Sequence, residues 1–142
     1  MTTAYGTFIK DLKDSLLATV RNTTSFASSV SADFVKTPPY NPFCLLRLRS
    51  DTQEDIGPLL TRHLVNFELW VSYIGSYKEA SLDSIISYVG EIVDEIESDR
   101  TLGSSNIKNT EITMVDYSFR EAESAVRHTA KILVEIEGIR NA

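Results

Sequence analysis

Residues 63–98, HLVNFELWVSYIGSYKEASLDSIISYVGEIVDEIES, decide the fold. In the opening stretch Val65, Phe67, Leu69, Val71 and Tyr73 are uniformly apolar, whereas Leu64, Asn66, Glu68, Trp70 and Ser72 are mixed. A period of two puts the first set on one face of a β-strand, turned toward a core. Gly75-Ser-Tyr-Lys78 ends that strand, and the period then changes. Leu82, Ile85, Ile86, Val89, Val93 and Ile96 step at i, i+3, i+4, i+7, i+11 and i+14. That spacing predicts an amphipathic helix over 79–98, with acidic residues on the rest of the wheel.

Upstream, Phe8, Ile9, Leu12, Leu16, Leu17 and Val20 form a helical stripe over 8–20, with Thr7 as the expected N-cap. The Ser- and Thr-rich RNTTSFASSVSAD reads as a loop or irregular strand, and Phe34-Val35 as a short extended piece. Thr37-Pro-Pro-Tyr-Asn-Pro42 stops any helix or central strand, because proline has no N–H for a ladder. Phe43–Arg49 (FCLLRLR) reads as a short strand, with Leu46 and Leu48 on one face and Leu45, Arg47 and Arg49 on the other. SDTQEDIGP is expected to be a polar turn segment.

Downstream, LGSSNIKN breaks the helical pattern and 111–119 (EITMVDYSF) is strand-like. REAESA then leads into 126–136, where Val126, His128, Ala130, Ile132, Val134 and Ile136 alternate with a largely polar set. The last two strands read as a hairpin. The expected fold class is therefore α+β: a two-layer domain, with a mainly antiparallel sheet, helices on one face and a C-terminal β-hairpin. Its 142 residues suit one domain, 1–142, without repeats or low-complexity tracts.

Composition narrows the function classes. Lys plus Arg number 14 against 20 Asp plus Glu, a formal charge of -6. Residues 1–71 are neutral, so 72–142 hold the whole acidic excess. The basic, aromatic-studded face expected of a nucleic-acid binder is missing from this pattern. A lone Cys44 excludes a disulfide scaffold, and no run approaches the ~18 apolar residues of a membrane span. The expectation is an acidic, soluble protein made in a reducing compartment.

Catalytic signatures are not evident. No serine sits in a G-x-S-x-G elbow, and no phosphate-cradling glycine motif occurs. Cys44 inside FCLLRLR reads as a small buried hydrophobe, and His128 as a core or interface residue on an apolar strand face. Two histidines and one cysteine have no zinc-type spacing. Glu91 and Glu95 share a helix face and read as solvated charge. Asp51, Glu54 and Asp55 form a small acidic loop group without the glycine and ligand spacing of an EF-hand. No enzyme activity, cofactor or metal is expected.

Charge points instead to assembly. Arg47 and Arg49 on the first strand, and Arg120, Glu121, Glu123 and Arg127 around the hairpin loop, are the candidate contact residues, chosen on expected exposure and charge. A subunit with both signs on different faces can dock on its own copy, although the same charges also serve plain solubility.

The element order and several phrases resemble the tail-terminator or tail-completion proteins of long-tailed bacteriophages and prophages. The resemblance rests on the N-terminal amphipathic helix, the Pro-flanked FCLLRLR strand and the strand ending NFELWVSYI. It is strongest from LDSIISYVGEIVDEIESD through LGSSNIKNTEITMVDYSFREAESAVRHTAKILVEIEG, and it covers most of 60–138. It implies a structural virion protein of the tail or neck, made in the host cytoplasm, that caps the head-proximal end of the tail tube as a homo-oligomeric, hexameric ring. The implied partners are further copies of itself, the tail-tube protein and a neck or head-completion protein. Genome DNA would pass through the lumen without sequence-specific binding, and no membrane is involved. The alternatives are a neck or head-completion connector and, from another class, a small-ligand-binding α+β domain.

Overall fold

A computed structural model describes residues 2–32, 40–76, 79–121 and 124–141. The elements run α1 (Tyr5–Arg21), β1 (Val30–Ser31), β2 (Phe43–Gly57), β3 (Leu60–Gly75), α2 (Glu79–Ser98), β4 (Ile107–Glu121) and β5 (Val126–Asn141). The strands form one sheet in the order β1-β2-β3-β5-β4, antiparallel except for the short parallel β1–β2 pair. This is the α+β architecture that the periodicities predict.

The alternation in β3 and β5 is what makes the sheet two-faced. Val65, Phe67, Leu69 and Val71 are buried on one side, and the paired Ala130, Ile132, Val134 and Ile136 are buried beside them. Phe8, Leu12, Leu16 and Val20 of α1, with Ile85, Val89, Ile92 and Ile96 of α2, close over that side. Each such side chain contributes about 1.5–3 kcal/mol on leaving water. Among the described residues no helix covers the other face, and its half-buried residues alternate with the core set.

Several sequence expectations are corrected. Helix α1 begins at Tyr5 after Ala4, with no side-chain cap, so Thr7 lies inside the helix. Its start is held from elsewhere: Thr3 N–H donates to Asn141 O, and the Phe8 ring lies 4.8 Å from that of His63. The polar segment after Arg49 is no turn. A bulge at Arg49 shifts the register, and β2 then pairs with β3 out to Gly57. Strands β4 and β5 also outrun their predicted spans, to 107–121 and 126–141, and Ile107 of the supposed loop and Thr110 just after it are buried strand residues.

In α2 the core stripe is rotated from the predicted one: Ile92 is buried, whereas Leu82 and Ile86 are 46% and 49% exposed. The Ser- and Thr-rich connection contains Phe26, which is fully buried, and the two-residue β1. The expected extended piece at Phe34-Val35, and residues 37–39 of the proline segment, lie outside the described residues.

Candidate assembly surfaces

The sheet's uncovered face gathers most of the charged candidates. Arg120 and Arg127 are direct cross-strand partners at the outer end of the β4–β5 hairpin, and both are exposed. Arg47 stands opposite Glu68, and Arg49, the bulged residue, brings its Nε to 3.8 Å from Glu68 Oε1. Glu121 pairs with Val126, so alternation turns it to the helix side, away from the arginines. Glu123 lies outside the described residues.

At the centre of the arginine face is Trp70. Its Nε1–H donates to Glu68 Oε2 at 2.8 Å. The Arg47 guanidinium lies 5.9 Å and the Lys131 ammonium 5.4 Å from its ring, within cation–π range. Charge alone does not single out Trp70 and Lys131. The signal that could is their shared place on the polar side of two alternating strands.

The two lateral edges differ from each other. Along β4, Tyr117 pairs with buried Ala130 and Phe119 with His128, which puts both rings on the helix side. They reach beyond the helical cover and are 46% and 67% exposed. One flank of α2 is occupied by the α1–β1 connection: Ser25 donates from N (3.0 Å) and Oγ to Glu91, Asn22 donates to Glu95, and Phe26 packs edge-on to Tyr88. Glu91 and Glu95 are thus bonded partners rather than plain solvated charge. Leu82 and Ile86 project from the opposite flank, toward β4. Helix α2 contacts β4, and Ser81, next to Leu82, bonds His128, the cross-strand partner of Phe119. Leu82 and Ile86 therefore stand over the same edge as Phe119 and Tyr117 and outline an apolar ridge with them.

On the β2 side of the sheet, among the described residues, α1, Ala32 and β2 line a groove of about 550 Å³. Its floor is Ile9, Leu46, Leu48 and Phe67, and Lys10 and Lys13 stand on its rim. No protein-family model matches the chain, and no curated protein is significantly similar to it.

The histidines and the cysteine are built into the structure. His63 is fully buried, with Nδ1 3.0 Å from both Asp51 carboxylate oxygens and Nε2 accepting from Arg140 Nε at 3.0 Å. An Asp–His pair can act as a general base, but here the ring nitrogen such a base would use is capped by a guanidinium. Asp51, Glu54 and Asp55 lie on β2, not in a loop, and are bonded to His63, Arg62 and Thr61 respectively. His128 Nε2 lies 3.0 Å from Ser81 Oγ. Burial pushes the Cys44 thiol up, away from its reactive thiolate. Among the described residues, no cluster of three or more His, Cys, Asp or Glu is placed to hold a metal ion. No described helix is long and apolar enough to cross a membrane.

Proposed function

We propose that the chain is a structural virion protein whose copies form a ring, a hexamer by resemblance, on the head-proximal end of a phage tail tube. That ring presents part of the surface to which a neck or head-completion protein joins. The observation that carries this reading is the ridge of Leu82, Ile86, Tyr117 and Phe119. Four large apolar side chains, each at least 46% exposed, stand on the α2–β4 edge by the strand register and the Ser81–His128 bond. Clustered exposed apolar surface marks a protein–protein contact. The role is one of binding and position, with no reaction step, cofactor or metal in it. The acidic balance suits a conduit through which DNA slides, since it gives phosphates little to hold.

Mixing the purified protein with polymerised tail-tube protein and imaging by electron microscopy tests this. A ring at one tube end is expected. Binding to neck particles but not to tubes would move the assignment to a neck connector, and binding to neither would reject the virion reading. The α1–β2 groove favours the second reading, a ligand-binding domain, because an apolar floor with two lysines suits a small amphipathic anion.

A further inference from the structure

We propose that the chain docks head to tail on a second copy of itself, the α2–β4 ridge of one copy seated in the α1–β2 groove of the next. This rests on the ring reading above and locates the contact within it. Ridge and groove lie on the same side of the sheet, the ridge at the β4 edge and the groove beside β2. Strand β2 is outermost past the two residues that β1 pairs, Cys44 and Leu45. Side-by-side copies therefore bring one against the other without turning either subunit over. Phe119 and Tyr117 supply the protruding aromatic surface, about 150–250 Å² each when fully buried. The floor of Ile9, Leu46, Leu48 and Phe67 supplies an apolar seat.

Charge selects this pairing over its rivals. Exposed Asp83, next to Leu82, and exposed Glu121, two residues past Phe119, adjoin the ridge, whereas Lys10 and Lys13, the latter 3.1 Å from Asp14, stand on the rim of the groove. Ridge against groove therefore brings opposite signs together. Ridge against ridge, the symmetric alternative, would face two carboxylates with two more, and like charges across an interface disfavour it. Because the two surfaces differ, an open assembly keeps one ridge and one groove free at its two ends, and the contact repeats until its rotation closes a ring.

The test uses two variants at exposed positions, where the fold does not depend on the side chain. Phe119→Asp disables the ridge and Leu48→Asp the groove; circular dichroism and thermal melts verify that both fold. Sedimentation velocity should show wild type self-associating and each variant alone as a monomer. Their mixture should form a heterodimer and nothing larger, since each partner keeps one working surface. A variant that still self-associates, a mixture that stays monomeric, or a wild type that is monomeric at millimolar concentration overturns the proposal.

A monomeric wild type that binds decanoate in the groove overturns it in favour of the ligand-binding domain. The double reversal Lys10→Glu/Lys13→Glu should weaken self-association roughly ten-fold. Mixing it with Asp83→Lys/Glu121→Lys should restore the contact; failure to restore it counts against the proposed pairing. Tube binding without self-association would sink the docking and spare the tail reading. Self-association without tube binding would do the reverse.

Discussion

Arg140 donates from Nε to Nε2 of His63 at 3.0 Å, across the paired strands β3 and β5. A guanidinium only donates, so His63 is neutral there and carries its proton on Nδ1, facing Asp51. Asp51 and Arg140 are thereby joined through one buried ring. Arg140 also donates from Nη1 to Thr3 O at 3.3 Å, which fastens the segment before α1. His63→Ala leaves a carboxylate and a guanidinium without their common partner. We expect a loss of about 3 kcal/mol in urea unfolding, with faster proteolysis before Tyr5.

Two positions on α2 separate core from surface. Ile92 is fully buried and Leu82 is 46% exposed, although sequence spacing favours Leu82. Ile92→Ala should cost about 2–5 kcal/mol by leaving a cavity. Leu82→Ala should stay within about 0.5 kcal/mol in the monomer. Equal losses in chemical denaturation would mean that the helix is rotated from the orientation described.

Legibility in the sequence follows how strongly the two faces of an element differ. Strands β3 and β5 lie mid-sheet with one face under the helices, so their alternation is clean and their core set is readable. The outer half of β2 is polar on both faces, so SDTQEDIG has strand pairing but no strand pattern. Leu82 and Ile86 mislead the helix reading because exposed apolar residues obey the same periodicity as buried ones. The arginine face is partly readable from charge. The ridge and groove are not, because each joins residues from elements distant in sequence. The Asp51–His63–Arg140 tie depends on a register that the bulge at Arg49 shifts by one residue.

Glycines give a pair of opposite outcomes. A Cβ on Gly138 would lie 2.7 Å from Phe8 Cζ and 3.1 Å from Asn106 O. Phe8 is fully buried and Asn106 O already accepts from Ile139 N, so neither has room to retreat. Gly138→Ala should destabilise by about 1–3 kcal/mol. Gly90, in the middle of α2, has open space within 4 Å of the point where a Cβ would stand. There the alanine removes backbone freedom from the unfolded chain, and a gain of about 0.5–1 kcal/mol is expected. Thermal melts of the two variants should move in opposite directions.

Asp99 sets a pH dependence on the turn that follows α2. Its Oδ1 accepts from Thr101 Oγ1 at 2.7 Å and from Thr101 N at 3.1 Å. These bonds, the hydroxyl first, hold the carboxyl below its ordinary value of 3.8. They steady a turn in which Leu102 and Gly103 both take positive φ, 51° and 72°. A carboxyl lowered in the folded state contributes stability above the unfolded pKa and loses it as pH falls through the folded one. Asp99→Asn keeps an acceptor oxygen but has no charge to lose. The variant should therefore unfold at lower urea than wild type at neutral pH, and the gap should close as pH falls below about 4. A gap that stays constant across that range would show that the charge on Asp99 does not hold the turn.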